Sequence, residues 1–264
     1  MHPAHDYQRD GYVSPIRVLS RAEALGYRAR MEAHERAIGR PLNRLERTKP
    51  HLLFGWAAEL ARHPAVLAPV QAMLGPDLLC WETVLFTKEA NGPEHITWHQ
   101  DVLYWGLEPP DEVVTAWVAL SPSNAGNGCM RVVPGSHRLD LQRHVDTYAD
   151  GNLLSRGQVI VDVDEADAVD VTLEPGEMSI HHVKIIHGSD LNRSGDRRIG
   201  FAARYFTPRV RQRSPARDSA FLASGTDAFG HFDLEPAPEA DYSPAVRARH
   251  EQFVIRRRKL QAAL

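Results

Sequence analysis

From Leu78 onward the chain is cut into short apolar runs, and that spacing constrains the fold more than any other feature. The runs are LLCWETVLFTK (78–88), EHITWHQD (94–101), VVTAWVALS (113–121), GCMRVVPGS (128–136), QVIVDV (158–163), VDVTL (169–173), EMSIHHVKIIHG (177–188) and RRIGFAARYF (197–206). They are rich in β-branched and aromatic residues, and Pro, Gly, Asn and Asp punctuate them at strand-and-turn intervals. The stretch before them reads as helix. Ser20-Arg21-Ala22-Glu23 is a capping box, Leu25, Ala29, Ala33 and Ala37 form one row of a helix face, and Gly39 is a stop. A second helical stretch runs from about Leu52 to Leu74, interrupted at His63-Pro64 and closed by Gly75-Pro76.

Helices first and about eight strands after predict an α+β or mainly β barrel rather than alternating βαβ units. We expect one domain over 1–264: a helical part to about residue 76, a barrel over about 77–207, and a C-terminal extension, 208–264, that returns to helix in VRARHEQFVIRRRKLQAAL. With 43% apolar and 25% charged residues, the chain can bury a sizeable core. No window approaches the ~18 uncharged apolar residues of a transmembrane helix, so no membrane partner is expected. The opening MHPAHDYQRDGYVSP shows no secretory signal, and two cysteines, Cys80 and Cys129, make no disulfide scaffold; both fit a reducing cytoplasm. A net charge of -3 gives no reason to expect nucleic acid, and the Arg256-Arg257-Arg258-Lys259 run reads as a solvated helix face.

Fourteen histidines are a supply of metal ligands, although most histidines do ordinary work. On a strand, alternate residues share a face, so in TWHQD the imidazole of His99 and the carboxylate of Asp101 project together. In IHHVKIIHGS the same alternation puts His181, Val183, Ile185 and His187 on one face, and either histidine could complete a two-histidine, one-carboxylate set. That set leaves coordination positions open, as non-haem Fe(II) oxygenases require. Eleven residues after His187 comes Arg198. On its strand Arg198, Gly200, Ala202 and Arg204 share a small, cationic face, while Ile199, Phe201, Ala203 and Tyr205 form an apolar face suited to a helical layer. A guanidinium can grip a carboxylate through two parallel hydrogen bonds.

These pieces in this order resemble the phytanoyl-CoA dioxygenase family of Fe(II)- and 2-oxoglutarate-dependent oxygenases. Supporting motifs are WHQD (98–101), AWVALSPSNAGNGCMRVVPGSH (116–137) and PGEMSIHHVKIIHGSDLNRSGDRR (175–198). The resemblance covers residues 5 to 207 or so and implies a double-stranded β-helix (jelly-roll, cupin-like) barrel. It further implies that His99, Asp101 and His187, rather than His181, bind the iron. Arg198 and Ser189 would bind the distal carboxylate of 2-oxoglutarate, and Trp117 would line that cosubstrate. His137 ends a turn and is read as structural. Related halogenases have Ala or Gly in place of the carboxylate; Asp101 points instead to hydroxylation with O2, releasing succinate and CO2.

The substrate is a small molecule of unidentified class. Trp98, Gln100, Tyr104, Trp105, Asn127, Arg131, His181 and the Lys49-Pro50-His51 segment are pocket candidates. Tyr104-Trp105 would suit a cationic headgroup, and Arg131 or Arg204 an anionic one. Nothing reads as a site for CoA phosphates. A monomer or homodimer is expected. The competing reading is a cupin-like protein that binds a metal or small ligand, or an isomerase, without redox turnover.

Overall fold

A computed structural model describes residues 3–262. Its helices are α1 (Pro3–Asp10), α2 (Arg21–Ile38), α3 (Gly55–Ala61), α4 (Pro64–Leu74) and α5 (Pro244–Ala262). The strands begin with β1 (Tyr12–Arg17), β2 (Leu78–Lys88), β3 (Ile96–His99), β4 (Leu107–Glu108), β5 (Val113–Ala119), β6 (Met130–Val132), β7 (His144–Val145) and β8 (Val159–Ile160). They continue with β9 (Val169–Val171), β10 (Glu177–His182), β11 (His187–Ser189), β12 (Arg198–Phe206), β13 (Arg211–Gln212), β14 (Ser219–Ser224) and β15 (Asp233–Leu234). A seven-stranded sheet has the order β1-β10-β5-β12-β2-β14-β15, and a four-stranded sheet the order β3-β11-β6-β9. The protein is therefore mainly β.

The chain forms two compact units. One comprises Met1–Leu25, Phe86–Leu103 and Trp117–Phe201; the other comprises Gly26–Leu85, Tyr104–Ala116 and Ala202–Leu264. Strands β2, β5 and β12 have residues in both.

In the first unit, the Ser20 backbone N–H donates to Glu23 at 2.8 Å and the Glu23 N–H donates to Ser20 Oγ at 3.2 Å, the reciprocal bonds of a capping box that starts α2. The expected helical stretch also holds a strand. β1 pairs antiparallel with β10, Tyr12 opposite His181 and Arg17 opposite Glu177, and its Ser-Pro dipeptide hides it from a period-two reading. The run 177–188 divides into β10 and β11. His182 is the cause: its carbonyl accepts from the Ile185 N–H at 3.0 Å and its Nδ1 from the Lys184 N–H at 3.0 Å, closing a turn. Alternation from His181 to His187 therefore does not hold.

Trp117, on β5, lies over Gly200 of β12. A Cβ built on Gly200 would overlap the indole, which is why glycine stands there.

In the second unit, α4 starts with Pro64 at its first position and closes at Gly75, with φ 95°. The apolar face of β12 meets helix as expected: the Tyr205 hydroxyl donates to the Ala61 carbonyl at 2.8 Å. The sheet continues beyond residue 207, because β14 pairs antiparallel with β2, Phe221 opposite Cys80. Nor is the basic run of α5 simply solvated. Arg256 bonds Asp233 at 2.8 Å, and Arg257, buried, pairs with Glu82.

Gly200→Ala is expected to lower the thermal midpoint, since overpacking a filled site costs about 1–3 kcal/mol. Gly195→Ala, whose added Cβ meets nothing within 4 Å, is the control. Equal midpoints in a thermal melt would refute the packing argument.

Candidate metal centre

The first unit's four-stranded sheet brings distant histidines together. In the β3–β11 ladder His99 is directly opposite His187, so both side chains leave the same face. Their ring centroids are 4.1 Å apart. Strand β3 ends at His99, and Asp101 opens a 3-10 turn over Asp101–Tyr104, so the turn rather than strand alternation aims the carboxylate. The Val102 N–H donates to the Val183 carbonyl at 3.0 Å and fixes that turn.

Asp101 Oδ1 lies 3.4 Å from His99 Nε2, and Oδ2 lies 3.9 Å from His187 Nε2. Among the described residues these three form the one group whose ligand atoms all lie within 4.8 Å of one another; His181 is not part of it. All three are buried. Each imidazole uses Nδ1 on the carbonyl two residues earlier: His99 on Thr97 at 2.9 Å, His187 on Ile185 at 3.0 Å. A carbonyl only accepts, so Nδ1 carries a proton and Nε2 is the nitrogen turned toward the carboxylate. Burial, and then the neighbouring His99, push His187 well below the usual histidine range, toward the neutral form that binds metals.

His181, on β10, has its ring centroid 4.9 Å from that of His187, so it stands behind the ligand atoms rather than among them. Gln100, expected in a substrate pocket, instead ties the ligand segment down. Its backbone N–H donates to His144 Nε2 at 3.0 Å, its side chain donates to the Lys184 carbonyl at 2.8 Å, and its Oε1 accepts from the Gln142 N–H at 2.8 Å.

Arg198 begins β12 and is 1% exposed. Its guanidinium carbon is 5.3 Å from the centroid of the Trp117 ring, and Nε and Nη2 have no hydrogen-bond partner. Burial pushes it down to about 10. Ser189, at the end of β11, accepts at Oγ from Lys88 Nζ at 2.7 Å. Lys88 was not anticipated. A lysine that closes an apolar run just before Glu-Ala-Asn-Gly reads as solvent-facing, yet it is fully buried.

Other expected pocket residues are engaged elsewhere. Arg131 is neutralised by Glu165 at 2.7 Å, with Asp170 at 3.5 Å and Asp190 at 3.8 Å, so it is no anion holder. It lies over Trp98, whose indole N–H donates to the same Glu165 at 2.9 Å. Asn127 caps a turn through Asn124 and Pro122.

Tyr104 and Trp105 belong to the second unit, where the buried Trp105 ring has the Arg204 guanidinium carbon 4.5 Å from its centroid. Arg204 is paired with buried Glu82. Lys49 and His51 both bind buried Glu235, His51 Nε2 at 2.8 Å, in a closed structural network.

The geometry makes a three-ligand site with an open side, and His187→Ala is expected to lower Fe(II) affinity by orders of magnitude while His181→Ala leaves it within a few-fold. Anaerobic metal titration reads both, and loss of metal in His181→Ala alone would reverse the assignment.

Comparison with known proteins agrees with this geometry. The family model described as phytanoyl-CoA dioxygenase matches residues 7–200. Peroxisomal phytanoyl-CoA dioxygenase from Bos taurus is 31% identical over 135 residues, 50% of this chain and 40% of that protein. A probable alpha-ketoglutarate-dependent hypophosphite dioxygenase from Stutzerimonas stutzeri is 30% identical over 170 residues, 61% of this chain and 57% of that one. The chain thus spans about half the length of these curated relatives. Among solved structures, the non-heme monooxygenase ThoJ in its apo form superposes with a TM-score of 0.86 at 37% identity, covering 98% of this chain and 97% of ThoJ. Its nickel complex gives 0.81 at 36% identity, with 97% of both chains covered.

Proposed function

The chain belongs to the phytanoyl-CoA dioxygenase family, and on that premise we propose that it is an Fe(II)- and 2-oxoglutarate-dependent oxygenase. It hydroxylates an unactivated C–H bond of a small molecule with O2, releasing succinate and CO2. One observation carries the reading beyond metal binding. A buried arginine with two unsatisfied donors lies in the same unit as the His99-Asp101-His187 group, and a guanidinium of that kind calls for a carboxylate.

His99 Nε2, His187 Nε2 and an Asp101 oxygen fit Fe(II): two neutral nitrogens and one anionic oxygen, with positions left over. Iron bound there supplies the oxidising chemistry. The chain's own residues bind, orient and exclude water. The Nδ1 bonds to Thr97 and Ile185 hold both imidazoles with Nε2 aimed at the site. Arg198 offers its fork to the distal carboxylate of 2-oxoglutarate, with the Trp117 ring centroid 5.3 Å from the guanidinium carbon and Ser189 as a second donor. Burial around Arg198 strengthens that pairing relative to water.

Two further points belong to the reading. The orders β1-β10-β5-β12-β2 and β3-β11-β6-β9 set sequence neighbours in different sheets, which supports a double-stranded β-helix in one domain. Asp101 fills the position that a halide would need, which favours hydroxylation. A non-redox cupin-like binder has no use for a bare buried arginine.

Purified protein given Fe(II), ascorbate and 2-oxoglutarate is expected to release succinate even without substrate; none would remove the redox reading. Arg198→Ala should weaken 2-oxoglutarate binding by roughly 30-fold to several thousand-fold, the equivalent of about 2–5 kcal/mol. Arg198→Lys should recover part, since the charge survives without the fork. Arg197→Ala, whose side chain pairs with Glu89 at 2.9 Å, is the control, and an equal loss there would place the wrong arginine in the site.

A further inference from the structure

Lys88 is a buried amine whose three hydrogen-bond partners can all be traced. Nζ donates to Ser189 Oγ at 2.7 Å, to the Gly128 carbonyl at 3.2 Å, and to the Asp190 carbonyl. An ammonium has three donors and no acceptor, so these partners use its full capacity. Lys88 therefore has no donor left for a ligand, and any effect on one passes through a group it holds.

Of those three groups, Ser189 is the one with a proton to give. With Lys88 donating to Oγ, the hydroxyl proton is left to donate outward. In this same unit stands Arg198, whose Nε and Nη2 have no partner. Burial, and then the charge of Arg198, push Lys88 down to about 6, against the opposing pull of Asp190, Cys129 and Glu94. That shift favours the neutral amine, and an anion bound beside Arg198 raises the value again and restores the ammonium whose third N–H goes to Ser189.

We propose that Lys88 is a positioning residue for the cosubstrate, orienting the Ser189 hydroxyl as a donor to the distal carboxylate that Arg198 grips. The proposal rests on the oxygenase reading above. The bland reading is a strut: Lys88 ties the Gly128 and Asp190 backbones together and does nothing for a ligand. The two readings separate on binding rather than on stability.

The test is anaerobic calorimetric titration of 2-oxoglutarate into Fe(II)-loaded wild type, Lys88→Met, Ser189→Ala and the double variant. Each single variant should lose roughly ten- to a hundredfold in affinity, the range of one hydrogen bond to a charged group. The double variant should lose little more than the worse single one, because both remove the same donor. Fe(II) affinity should stay within a few-fold of wild type. Lys88→Arg should restore part of the loss, and Lys88→Leu, which likewise offers Ser189 no donor, takes the place of Lys88→Met where that variant does not fold. A folded Lys88→Met variant that binds 2-oxoglutarate within twofold of wild type, even with a lowered thermal midpoint, overturns the proposal. So do single losses that multiply in the double variant. Failure of the wild type itself to bind 2-oxoglutarate would instead overturn the oxygenase reading.

Discussion

His99 and His187 are directly opposed in an antiparallel ladder, so two imidazoles from distant parts of the chain leave one face of one sheet a ring's width apart. Backbone pairing does this work. Each ring is then oriented by the same short-range device, an Nδ1 bond to the carbonyl two residues back. Register sets where the nitrogens are; the local bond sets which nitrogen is free. The remaining features of the site, the turn that presents Asp101 and the clasp made by Gln100, are attached to this frame.

Buried cations are handled in two ways in this protein. In the second unit Lys49 meets the carboxylate of Glu235, with His51 and Ser219 completing the shell, and Arg204 and Arg257 share Glu82. Each of those cations meets a carboxylate that the fold itself supplies. In the first unit Lys88 meets a hydroxyl and two carbonyls, and two donors of Arg198 meet nothing. A buried charge left without a partner is destabilising by several kcal/mol, and a fold retains one where a ligand supplies the missing partner. The contrast separates structural lysines and arginines from binding ones without reference to their position in sequence.

Much of this was legible before the structure. The limits of β2 match the run 78–88, the capping box at Ser20 forms as read, and the small face of β12 is small because Trp117 lies on Gly200. Three features were hidden, each for a physical reason. β1 contains a proline and lies among helices, and only its long-range pairing with β10 makes it a strand. The run through His181 and His187 looks continuous because Val183, Ile185 and Ile186 have high strand propensity, and the turn that breaks it is built by the His182 side chain, which propensity does not register. Lys88 and Arg131 carry the charge expected of surface residues. Their roles are set by Ser189, Asp190 and Glu165, which lie far along the chain.

The segment at Gln100 to Val102 has a consequence for how such a site can change over time. Its path is held by the Gln100 amide, the Gln100 side chain and the Val102 N–H, none of which involves the side chain of residue 101. Position 101 therefore supplies the third ligand from a segment that its neighbours also hold in place. A substitution there alters the third ligand while the Gln100 and Val102 bonds that hold the segment keep their partners. The two histidines lack that freedom, because each ring is bonded to its own strand. A lineage built on this frame can explore new reactions at one residue while the rest of the centre stays as it is.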